Sequence, residues 1–193
     1  MKKTNITKYL VIMKLSWMLL TILVVVSCKE SLIKSEYQQL KASKIVLHEN
    51  FLVLNQNKVD INSKANNYKL IHFVPSFECS ECAIANISQF NRLDSISKAT
   101  GAFSLMVVFS PRADMAEHII KLLNENSLSY NFPVYIDINN QFQKLNPGIP
   151  TSTILHTFLI NNDGTPVFIG NPLANKKLFN LFTKKLNLKQ SDL

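Results

Sequence analysis

The chain has 193 residues, of which 47% are hydrophobic and 18% charged, a balance that gives room for one domain plus a leader and excludes wholesale disorder. The formal charge of +8 falls to +4 once residues 1–27 are set aside, because Lys2, Lys3, Lys8 and Lys14 lie there and no acid does. No Lys/Arg-rich run with interleaved aromatics survives in the remainder, so a nucleic-acid partner is not indicated.

The first 27 residues read as a secretory leader. The basic start is followed by an apolar run from Leu15 through Val26, shorter than the roughly 20 residues that span hydrocarbon. The segment Val25-Val26-Ser27-Cys28 resembles a bacterial lipobox, which implies that Cys28 is diacylated and becomes the first mature residue, a palmitate-type anchor. The alternative is an uncleaved anchor helix with an incidental cysteine. Either reading tethers the domain to a membrane and exports it, and a multiply acylated cysteine holds stably. The expected organisation is a signal peptide over 1–27, a lipidated cysteine and tether over 28–43, and a folded domain over 44–193. Residues 29–42 are polar and lysine-rich without clear period, hence a tether with at most a helical turn.

Short β-type stretches follow at Ile45–His48 and Phe51–Leu54, then a polar loop through Asn67. Lys69–Val74 is a compact strand candidate. From Ser80 to about Ser97 the apolar residues Ala83, Ile84, Ile87, Phe90, Leu93 and Ile96 trace a helical stripe. Phe103–Phe109 is a near-continuous apolar run, the mark of a strand buried on both faces. Ser110-Pro111 then reads as an N-cap with proline at the first helical position, leading a helix with Met115, Ile119, Ile120 and Leu123. Phe132–Ile138 is another strand, followed by a short helix around Phe142 and Leu145. Leu155–Ile160 and Pro166–Ile169 flank Asn161-Asn162-Asp163-Gly164, a strong hairpin turn. A last amphipathic helix carries Leu178, Leu181, Phe182 and Leu186. This alternation of strands and helices predicts an α/β domain.

Three cysteines are present, so a lipid on Cys28 leaves Cys79 and Cys82 as the thiols of the exported domain. A bridge between them closes a tiny loop and constrains the unfolded chain little, so the pair asks for a chemical rather than a structural explanation. Redox exchange and metal ligation are the candidates.

A strand leading into Cys79-Ser80-Glu81-Cys82 at the start of a helix, then FPVYIDINNQF and TFLINNDGTPVFIG before a closing helix, resembles the thioredoxin-like fold. It is most similar to the TlpA/ResA-type exported thiol–disulfide oxidoreductases, over roughly residues 45–188. The resemblance implies a three-layer sandwich, a central mixed sheet flanked by helices, with Cys79 and Cys82 as the catalytic pair and no cofactor. It further implies exported thiol or disulfide proteins, or small thiols, as partners in the periplasm or at the cell exterior. Cys79 just before a first helical turn gains from unpaired N–H groups that favour thiolate over thiol.

Two features depart from the family pattern. The usual Trp-Cys-Gly-Pro-Cys core is replaced by Glu78-Cys79-Ser80-Glu81-Cys82. Carboxylates on both sides of Cys79 oppose another negative charge, which raises its pKa and makes the centre slower and more reducing; ordinary acids of a first helical turn are the plainer reading. The family's cis-proline before the TFLI strand is also missing, and Leu155 or His156 falls at that spot. If His156 faces the two sulfurs, a copper- or zinc-binding chaperone using Cys79, Cys82 and His156 becomes an alternative; a hydrogen-bonded strand histidine is the plainer reading. A thioredoxin-like binding module with a structural disulfide is the other alternative. His72, inside an apolar strand, reads as a satisfied core residue, and His48 and His118 as surface residues.

Overall fold

Strands such as KLIHFV and FSLMVVF carry apolar side chains on both faces, and they are stable only when covered on both sides. In the computed structural model, which describes residues 30–54 and 67–189, they form β2 (Tyr68–Val74) and β3 (Ser104–Phe109) at the centre of the sheet. The two run parallel, with Leu70 opposite Leu105 and Phe73 opposite Val108. Beyond β3 lie β4 (Val134–Ile136), parallel to it, and β1 (Leu52–Leu54), antiparallel at the edge. On the other side β2 pairs antiparallel with β5 (Thr157–Asn161), which pairs antiparallel with β6 (Pro166–Ile169). The sheet order is β1-β4-β3-β2-β5-β6.

Strand alternation divides the interior into two cores. Leu70, Val74, Leu105, Val107 and Leu159 face one side, where α2 (Ser80–Ala85), α3 (Asn91–Thr100), α4 (Ala116–Glu125) and α6 (Lys176–Lys185) bring Ile84, Leu93, Ile119 and Phe182. Ile71, Phe73, Met106, Val108 and Phe158 face the other, covered by Leu40 and by Phe142 of α5 (Gln141–Leu145). The chain is thus a mixed six-stranded sheet flanked by helices, the α/β architecture expected.

Several local readings change. The stretch taken as a tether is a helix through residues 30–42, α1, and its Leu40 is fully buried in the second core. Ile33, Tyr37 and Leu40, at helical spacing, give that helix its buried edge. Ile45–His48 forms no strand; Ile45 N–H donates to the Gly164 carbonyl at 2.8 Å and Val46 N–H to Asn146 Oδ1 at 2.7 Å instead. The helical stripe from Ser80 breaks at Asn86, with a 3-10 turn over Ile87–Phe90 before α3.

Ser110 does not cap a helix. Its hydroxyl donates to Oδ2 of buried Asp137 at 2.9 Å, and the next helix begins only after a 3-10 turn at Ala113–Met115. His48 is largely buried rather than exposed, stacked on Phe51 with ring centroids 3.9 Å apart. The hairpin turn is where it was expected: Gly164 has φ +85°, and a Cβ there would lie 2.3 Å from the Ile45 carbonyl oxygen, so only glycine fits. Among the described residues no helix is long and apolar enough to cross a membrane. The expected leader, Cys28 and the polar loop over 55–66 lie outside the described residues.

Candidate active site

β2 delivers the chain to the rim of the sheet, where Pro75–Glu78 turn it into α2. The turn is closed by Glu78 N–H donating to the Pro75 carbonyl at 3.0 Å. Cys79 is the N-cap of α2, and its Sγ accepts from the Cys82 N–H at 3.2 Å. Three residues on, Cys82 returns to the same side, and the two sulfurs are joined in a disulfide with Cα atoms 5.3 Å apart. Both cysteines are exposed. A donor aimed at Sγ stabilises the ionised sulfur more than the neutral thiol.

An open groove of about 500 Å³ runs past Cys79 between α2 and the segment leading into α4. Phe77, Met115 and Ile119 give it an apolar wall, and Glu78, Glu81 and Arg112 a charged rim. Phe77 is 55% exposed and lies near Cys79 in the chain.

The two carboxylates next to Cys79 are both partnered. Glu81 Oε1 lies 2.8 Å from His118 Nε2, bridging α2 to α4 in a half-exposed pair. Glu78 Oε2 lies 3.2 Å from Nδ1 of His156, which sits just before β5 and is only 1% exposed. The spot left open between Leu155 and His156 falls to both in different ways. Leu155 is buried in the second core, while His156 turns its ring toward Glu78. No cis peptide bond occurs among the described residues. Nε2 of the same ring lies 2.9 Å from the Pro150 carbonyl oxygen, and the His156 carbonyl accepts from Phe73 N–H at 2.9 Å. The turn that presents Pro150 is itself held by α1, whose Glu36 accepts from the Thr151 hydroxyl at 2.7 Å and from the Ser152 hydroxyl. Those bonds, Ser152 first, hold the Glu36 carboxyl below its ordinary range.

His72 lies beneath this group on β2. Its Nδ1 is 2.9 Å from the Thr157 hydroxyl and its ring leans on Phe90 at 4.5 Å, the satisfied core histidine expected. Burial pushes its pKa down to about 4, against the attraction of Glu78 and with the charge of His156 adding to the fall. Among the described residues no group of three or more His, Cys, Asp and Glu side chains is arranged to hold a metal ion. His156 turns both ring nitrogens to other partners, so the three-ligand reading with Cys79 and Cys82 has no geometry to stand on. The sequence pointed to Cys79, Cys82, Glu78, Glu81 and His156. It missed His118, Arg112, Met115 and Phe77, which reach the site from segments with no motif of their own.

A three-layer α/β sandwich with an exposed Cys-x-x-C disulfide at the mouth of a helix defines the class of site. No protein-family model matches the chain, and comparison with curated proteins gives no match. Solved structures to which it is similar include a thiol-disulfide oxidoreductase from Bacteroides fragilis, 16% identical with a TM-score of 0.42 over 72% of this chain and 99% of that one. The exposed lipoprotein thioredoxin of Streptococcus pneumoniae is 16% identical with a TM-score of 0.40 over 62% of this chain and 85% of that one. Copper-bound ScoI of Arabidopsis thaliana is 11% identical with a TM-score of 0.41 over 63% of this chain and 85% of that one. At these scores the likenesses carry no argument about this chain's chemistry.

Proposed function

We propose that the protein is a thioredoxin-like thiol–disulfide oxidoreductase, held by lipid on Cys28 at the cell envelope and facing the periplasm or exterior. The observation that supports it is the Cys79–Cys82 bridge, exposed at a groove, with a backbone N–H aimed at the Cys79 sulfur. In the reducing direction the Cys79 thiolate attacks one sulfur of a substrate disulfide. That S–S bond breaks, one substrate thiolate leaves and takes a proton from solvent, and Cys79 is joined to the other half. Cys82, as thiolate, then attacks Cys79 Sγ and releases the second substrate thiolate. Two electrons pass to the substrate and the internal disulfide re-forms. An external dithiol restores the reduced pair by the same exchange in reverse.

The exposed Phe77 and the apolar wall of Met115 and Ile119 suit an unfolded or flexible peptide carrying the substrate disulfide. The test is disulfide reduction by two variants. Cys79→Ser abolishes turnover, while Cys82→Ser stops after one exchange and accumulates a substrate joined to Cys79. Unchanged turnover in Cys79→Ser would reject the reading. For the anchor, a fatty-acid label on the wild type that Cys28→Ser removes is expected, and an unlabelled wild type would reject it.

A further inference from the structure

The hydrogen-bond partners of His156 fix more than its position. Nε2 faces the Pro150 carbonyl oxygen at 2.9 Å, and a carbonyl can only accept, so Nε2 carries a hydrogen. Nδ1 faces Oε2 of Glu78 at 3.2 Å, and a carboxylate can only accept as well. A neutral ring with its hydrogen on Nε2 would turn a lone pair toward the carboxylate. The ring is 1% exposed, so bulk solvent does little to relieve that clash. Glu78 is 28% exposed and keeps part of its hydration, which suits it to be the ionised partner.

We propose that His156 is a positioning residue carrying a hydrogen on both ring nitrogens, so that Glu78 and His156 together present no net charge to the neighbouring Cys79 sulfur. The proposal rests on the oxidoreductase reading for its purpose, not for its geometry. The titratable groups around the pair agree with it. From β2 comes His72, held neutral by burial; from α2 come the two cysteines and Glu81, which His118 of α4 engages. From the 150–152 turn comes a carbonyl, and Glu36 of α1 is spent on Thr151 and Ser152 on the far side of that turn. β5 offers the Thr157 hydroxyl, already bound to His72. The rings of Phe73 and Phe77, centred 5.8 and 6.0 Å away, close the remaining sides.

This arrangement reverses the effect that the bare sequence assigns to Glu78. A lone carboxylate beside Cys79 would oppose the thiolate; a compensated one does not. His156 thus acts on the nucleophile through Glu78.

The test is the pH midpoint of Cys79 alkylation in the reduced, folded protein, read in a double-mutant cycle. His156→Asn strips the compensation and slows alkylation at neutral pH by roughly three- to tenfold, through a raised midpoint. Glu78→Gln removes the carboxylate and the second hydrogen together and shifts the rate by less than about twofold. The double variant returns to the wild-type midpoint, which a merely structural role for His156 would not produce. A faster Glu78→Gln beside an unaltered His156→Asn would overturn the proposal, since it means a bare negative charge. Should His156→Asn fail to fold, ¹⁵N spectra of the wild-type ring decide: both nitrogens protonated supports the pair, one protonated rejects it. A wild type unable to reduce disulfides would reject the oxidoreductase reading while leaving this ring spectrum as it is.

Discussion

Cys79 has a carboxylate on either side, and each carboxylate meets a histidine, but the two pairs sit in different media. Glu81 and His118 are joined across α2 and α4 with both side chains about half exposed, so water and salt screen them and solvent can replace either partner. His156 is sealed under Phe73 and Phe77 with both ring nitrogens committed to protein, and only Glu78 keeps contact with water. The same chemical pair is therefore a loose surface link on one side of Cys79 and a buried, doubly held contact on the other. Burial is what separates the two histidines.

That contrast can be broken most sharply at His156. His156→Ala removes a buried ring, leaves the Pro150 carbonyl without its donor and strands Glu78. A loss of roughly 3–4 kcal/mol in denaturant-measured stability is expected. A loss below about 1 kcal/mol would put His156 in the same class as His118. The next effect belongs to His72, under the buried pair. Its folded pKa lies below the unfolded value, so between pH 6.5 and about 4 the unfolded chain gains a proton that the folded chain refuses. Stability falls by about 3 kcal/mol as pH drops through that window, and His72→Gln flattens that part of the profile. The smallest effect is on the open side: His118→Ala costs less than about 1 kcal/mol, and salt removes most of it.

The fold was legible where burial is two-sided. FSLMVVF reads as a central strand, KLIHFV as a compact strand and NNDG as a hairpin turn, and β3, β2 and the β5–β6 connection take those places. α1 was hidden because a lysine-rich surface masked the sparse stripe of Ile33, Tyr37 and Leu40. The start of α4 was misread because the Ser110 hydroxyl that would cap it is drawn to Asp137, 27 residues away. Local residue types marked Cys79 and Cys82 as the site. His156 was a candidate through the resemblance, but neither its pairing with Glu78 nor that of His118 with Glu81 is written locally, since the partners lie 78 and 37 residues apart. Charge on a nucleophile is set by what the fold brings near, and sequence neighbours gave only half of that list.

The proposed chemistry turns on the two sulfurs being unequal once the bridge is opened. The direct measurement is the alkylation rate of each cysteine in the reduced folded protein at neutral pH, resolved by mass spectrometry of the labelled peptides. Cys79 is expected to react well ahead of Cys82 and ahead of the same thiol in denaturant. Equal rates at both positions, matching those of the unfolded chain, would contradict the account.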